Sequence, residues 1–134
     1  MMITGLLHLL ALAGVACGTW VPTVIVSPTY PVLATHARIE GRVDLRLQVN
    51  RDGHIAAVRV LTGNKILAAV ASGNIKNWRF SLPCKTPPAE SIFEFTYEFR
   101  LRGIAESRPP TEFVYEHPYK VFVTSEALHW NPSK

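Results

Sequence analysis

Cysteine is scarce in this chain. Cys17 and Cys84 are the two present among 134 residues, too few to build a disulfide scaffold. Charge of one sign is never massed: the net charge is +4, and Lys and Arg are scattered among acids with no basic block to neutralise phosphates, which argues against a nucleic-acid binder. The five histidines (His8, His36, His54, His117, His129) have no ligand spacing with one another or with Cys84, so no metal site is expected. There is no serine in a nucleophile elbow and no glycine-rich phosphate loop. The expectation is a protein that is not an enzyme and needs no cofactor.

Long apolar runs are also missing, apart from one. Met1 to Cys17 is almost wholly apolar, broken by Thr4, Gly5, His8 and Gly14. It falls short of the ~20 residues of a membrane span, so it reads as a signal peptide before it reads as a short N-terminal anchor. Three endings stay open: cleavage near Ala16, lipidation at Cys17, or retention with membrane association through the N-terminus. Cys84 pairs with Cys17 only if Cys17 stays in the mature chain with a free thiol. His8 reads as a residue tolerated within a signal peptide.

The rest, 48% hydrophobic over the whole chain, has material for one domain with short extensions. Residues 18–26 form an extended lead-in, rich in proline through to Pro31. Val32 to Arg38 suits a short helix, with Pro31 at its start. From Arg42 to Val49 every second residue is aliphatic, the pattern of a strand with one face on a core. Asp52-Gly53 supplies a hairpin turn, and Ile55 to Leu61 returns as a second strand. Lys65 to Trp78 carries apolar residues at helical spacing, with Gly73 inside it at a cost of about 1 kcal/mol. Trp78 and Phe80 read as core. The most regular strand follows: Phe93, Phe95, Tyr97, Phe99 and Leu101 point one way, Glu94, Thr96, Glu98, Arg100 and Arg102 the other. Burying those five side chains contributes on the order of 10 kcal/mol before entropy is subtracted. Its charged face is expected opposite Arg42, Asp44 and Arg46. The fold class is therefore α+β: two helices packed on one face of a small antiparallel three-stranded sheet. Tyr119 to Thr124 alternates well enough to add a C-terminal strand.

The order Tyr30-Pro31, Ile39-Glu40-Gly41, an alternating strand into Asp52-Gly53, then Trp78-Arg79-Phe80 resembles the C-terminal domain of the TonB family, over roughly Ser27 to Gly103. The expected organisation is an N-terminal segment 1–17, the lead-in 18–26, a TonB C-terminal-like domain 27–103 and an extension 104–134. The resemblance implies an exported module, periplasmic or membrane-anchored in the bacterial cell envelope, that takes part in TonB-dependent transmembrane transport. It also implies capture of a peptide segment of an envelope protein or receptor by β-strand addition, at the third strand and the residues before Tyr-Pro. Carried over by position, the partner-binding residues are Ser27, Pro28, Thr29 and Tyr30, with Ile92, Glu94, Thr96, Glu98, Arg100 and Arg102 along the pairing edge. A sheet edge of this kind also pairs with a second copy of itself, which makes a self-assembling structural or periplasmic domain without energy coupling, such as a homodimer, the alternative reading. About a dozen residues separate Cys17 from Tyr30, spanning roughly 45 Å when extended, which is a tether and not a bridge across the envelope. Should the strand near Tyr119 lie on the third strand's edge, the peptide site is already filled from within.

Overall fold

Phe95, Tyr97 and Phe99 stand on one face of their strand, and all three are fully buried in the computed structural model, which describes residues 18–107 and 109–129. Along the chain the elements are β1 (Val21–Val24), α1 (Val32–Ala37), β2 (Gly41–Asn50), β3 (Ile55–Thr62), α2 (Lys65–Ile75), β4 (Arg79–Ser81), β5 (Glu90–Ala105), β6 (Glu112–Glu116) and β7 (Lys120–Leu128). The segment 1–17, with His8 and Cys17, lies outside the described residues.

Two helices and the antiparallel trio β3, β2, β5 appear as the alternation predicts, but the three-stranded sheet does not. Among the described residues the main sheet has five strands in the order β3-β2-β5-β7-β6, and β1 pairs with β4 in a separate two-stranded sheet. β7 runs parallel to β5, and β6 turns back antiparallel on β7. The physical reason lies in the tail's own pattern. Val121 and Val123 of β7 are fully buried, and Phe113 and Tyr115 of β6 pack against the same core, so the hairpin has an apolar face to bury. The edge of β5 offers that face a core and its backbone a ladder.

On the inner face Val43, Leu45, Leu47 and Val49 of β2 meet Leu67, Ala71 and Ile75 of α2, all fully buried. Asn64 caps α2, its Oδ1 accepting from the backbone N–H of Ile66 at 2.8 Å and of Leu67 at 3.4 Å. The helix stops three residues short of Trp78. Tighter turns, with Asn77 N–H on the Asn74 carbonyl and Trp78 N–H on the Ile75 carbonyl, swing the indole inward instead. There Trp78 stacks on Phe80 at 6.2 Å between centroids and meets Phe95 edge-on at 5.5 Å and Tyr115 at 6.1 Å.

The turn between β2 and β3 is pinned to β4. Gly53 has φ +88°, and Phe80 donates its N–H to the Gly53 carbonyl at 3.0 Å. A Cβ on Gly53 would fall 1.8 Å from the Phe80 carbonyl oxygen. Gly53→Ala must therefore force this contact apart as well as hold an alanine at positive φ, and we expect a loss of about 2–3 kcal/mol, read as a lower midpoint in urea denaturation. An unchanged midpoint would mean that β4 is not fixed to this turn.

Candidate partner-binding site

The residues ahead of Tyr30-Pro31 are built into the domain. Tyr30 is 3% exposed; its hydroxyl donates to the Ile39 carbonyl at 2.6 Å, and its ring meets Phe99 edge-on at 5.4 Å. Burial, with the Glu40 charge nearby, pushes its phenol well above the usual range. Its backbone N–H donates to Thr111 Oγ1 at 2.9 Å, so the C-terminal extension holds it too. Pro28 is buried, whereas Ser27 and Thr29 are exposed. Just before them, the Val26 carbonyl accepts from Asn74 Nδ2 at 2.9 Å and Trp78 Nε1 at 3.1 Å. Asn74 Oδ1 also accepts from Trp78 Nε1 at 3.0 Å and the Tyr97 hydroxyl at 2.6 Å, joining lead-in, α2 and β5 in one polar network. Tyr30 and Pro28 are thus structural, contrary to their expected place on a contact surface.

The expected pairing edge of β5 is filled. From Thr96 to Ala105 it lies beside β7 in a parallel ladder running from Thr96↔Lys120 to Ala105↔Leu128, interrupted near Arg102 by a shift in register. On its other side β2 pairs with it from Glu90 to Phe99. Thr96 and Glu98 therefore have a strand on each side; Arg100, past the end of β2, has β7 alone beside it, Arg102 falls in the register shift, and Ile92 and Glu94, ahead of the start of β7, form a short stub with β2 alone beside it. Side chains on this strand face each other across the outer surface. Thr96 Oγ1 donates to Asp44 Oδ1 at 2.8 Å, and Glu98 receives Arg100 at 2.6 Å and Lys120 at 3.1 Å. Arg100 and Lys120 hold the Glu98 carboxyl below the usual carboxylate range. At Asp44 burial pushes the carboxyl up, but hydrogen bonds from Arg42, Thr96 and Thr62 outweigh it and the net direction is down.

Which backbone groups stay open follows from alternation. Thr96 N–H donates to the Tyr119 carbonyl at 2.9 Å, so even-numbered residues of β5 turn toward β7 and odd-numbered ones toward β2. Accordingly Leu101 N–H, past the end of β2, is met by the Glu40 carboxylate at 2.6 Å. Carried through the register Tyr97↔Val43 and Arg46↔Arg59, the same parity points the backbone of Val58 and Val60 away from β2. The outer edges of the sheet are β3 and β6. β6 is five residues long, begins and ends in Glu112 and Glu116, and is bounded by Pro109-Pro110 and Pro118. Those are the devices that blunt an edge. β3 is eight residues long with one charge, Arg59, and no proline. Among the described residues it is the unguarded edge, and the single charge between Ile55 and Leu61 is the signal for it in the sequence.

A groove of about 410 Å³ lies beside that edge, between Val60 and one face of α2 that carries Lys65, Ala68, Ala69, Ser72, Gly73 and Lys76. Among the described residues no group of His, Cys, Asp or Glu is placed to hold a metal ion, and no helix is long and apolar enough to cross a membrane.

A small twisted sheet with two helices on its inner face, Tyr-Pro locked beneath the helix-to-strand turn and Trp78 in the core defines a domain class that comparison with known proteins identifies. The family model described as Gram-negative bacterial TonB protein C-terminal matches residues 26–101, and the chain belongs to that family. In fold it is similar to the TonB CTD of Pseudomonas aeruginosa, solved by solution NMR, with a TM-score of 0.54 and 23% sequence identity over 65% of this chain and 91% of that one. A comparison with curated proteins found no match.

Proposed function

We propose that this chain is an exported, non-enzymatic binding module of the cell envelope that serves TonB-dependent transport by adding a partner protein's extended segment to its sheet at the outer edge of β3. The observation that carries the reading is the open backbone of Val58 and Val60 on an eight-residue strand that has no further strand beside it among the described residues. A strand added there makes several backbone hydrogen bonds of about 0.5–1.5 kcal/mol each, enough for reversible capture. Family membership supports the envelope setting. It does not fix the edge used, because β7 occupies the edge of β5 that the resemblance implied.

The test is a random-peptide library panned against the whole chain, with hydrogen exchange read on the enriched peptides. Binding should slow exchange at the amides of Val58 and Val60. Val60→Lys, which places a charge on an edge residue that is 42% exposed, should weaken binding at least tenfold and leave the melting temperature within a few degrees. Protection confined to β6 or to the Ile92–Glu94 stub, or no enrichment at all, would overturn this reading. A rise in mass with concentration and no peptide present would favour pairing between copies.

A further inference from the structure

Among the described residues, nothing requires Gly73 to be glycine. It stands inside α2 with an unexceptional φ, and a Cβ added to it would meet no described residue within 4 Å. Glycine in a helix interior is unfavourable, and the usual compensations are a close internal contact or the approach of another backbone. Among the described residues the first is missing. The residues around it are consistent with the second. Ala69 is exposed and Ser72 half-buried, so the helix face beside β3 is low and smooth. Two cations stand at its ends, Lys65 at the first helical position and Lys76 at the C-cap. Neither has an acidic partner among the described residues, and no acid lines the groove.

From these observations we infer that the groove between β3 and α2 receives an extended acidic segment of a partner protein, its backbone paired with Val58 and Val60, its inner face over Ala69, Ser72 and Gly73, and its carboxylates at Lys65 and Lys76. The inference rests on strand addition at β3 and adds the chemistry of what is added. Geometry fixes the spacing. Eleven helical residues at 1.5 Å rise place the two lysines about 16 Å apart along the axis, and a strand advances about 3.3 Å per residue. Residues i and i+4 of a strand share one face and span about 13 Å, a gap that the long lysine side chains close. The fitting segment carries Asp or Glu at i and i+4, with a small residue at i+2 over Gly73.

Three synthetic peptides with one alternating Thr/Val core test this by calorimetry on the full chain. They carry Asp, Ser or Lys at the i and i+4 positions. The Asp peptide should bind at least tenfold more tightly than the Ser peptide at low salt, and the advantage should shrink as sodium chloride is raised. Lys65→Glu with Lys76→Glu should transfer the preference to the Lys peptide. Gly73→Ala should raise the melting temperature and weaken the Asp peptide, a pairing of effects that damage to the fold would not produce. Equal binding of the Asp and Ser peptides by the unaltered chain would overturn the acidic preference and leave strand addition standing. Failure of all three to bind would remove both.

Discussion

Ending the chain at Arg108 should unfold it, and should not expose a peptide site on β5. Truncation removes β6 and β7, and with them Val121 and Val123, fully buried, and Ala127 and Leu128, at 5% and 6% exposure. It also strips cover from what stays behind. Tyr115 packs on Trp78, Tyr119 stacks on Phe93 with centroids 4.5 Å apart, and Thr111 holds the Tyr30 backbone. Burying a Val or Leu side chain is worth about 1.5–3 kcal/mol, so β7 alone carries several kcal/mol before the aromatic contacts are counted. That is comparable with the whole stability of a domain this size, about 5–15 kcal/mol. The parallel ladder to β5 would be lost in addition, leaving Thr96 to Ala105 without a strand on that side. Near-ultraviolet circular dichroism and resistance to protease should therefore both collapse in the truncated chain. A truncated chain that stays folded, and that captures peptide along Thr96 to Arg102, would show that the hairpin is a displaceable lid and would restore the third strand as the binding edge.

How far the sequence reached can be judged element by element. β2, β3, α2 and β5 were legible because each carries its period over many residues, and the Tyr30-Pro31 and Trp78-Arg79-Phe80 signatures gave the fold through resemblance. The inner faces came out as read: Val43, Leu45, Leu47, Phe95, Tyr97, Phe99 and Trp78 are fully buried. The short strands were not legible. Three residues in β4 and four in β1 are too few for alternation to show, and both owe their conformation to a partner distant in sequence. β6 was missed for a related reason: Phe113, Val114 and Tyr115 form an unbroken apolar run whose period is hidden, although Val114 is exposed and its neighbours pack inward. The site was hardest to read. Periodicity says which side chains turn inward, but whether a strand lies at an edge depends on what the tail does, and β7 returns to β5 in parallel only after the intervening hairpin strand. Arg42 shows the same limit at the level of one side chain. It stands opposite Glu98 in register but pairs with Asp44 of its own strand at 2.8 Å.

Cys84→Ser should cost about 2–5 kcal/mol, the usual loss when a native disulfide is removed from a small domain. Cys84 is disulfide-bonded. The sequence has one other cysteine, Cys17, which lies outside the described residues, and substituting it tests whether it is the partner. Among the described residues Gly18 and Pro83 lie close: a Cβ on Gly18 would stand 3.4 Å from Pro83 Cγ. Joining positions 17 and 84 closes a loop of roughly 70 residues, worth about 4 kcal/mol in the chain-entropy picture, which sits within the range seen on removal. Cys17→Ser should lower the denaturation midpoint by the same amount as Cys84→Ser, and the double variant should lose no more than either alone. The consequence reaches anchorage, because lipid attachment at Cys17 needs the same sulfur atom. Intact mass of the mature protein should then show no acyl chain and should rise by the mass of two hydrogen atoms on reduction. An acylated mature chain, or a Cys17→Ser variant as stable as the parent, would break the pairing and return Cys17 to the membrane. If the bridge holds, cleavage or retention upstream of Cys17 is left to decide how the module is held, and the thiol chemistry places its maturation in an oxidising compartment.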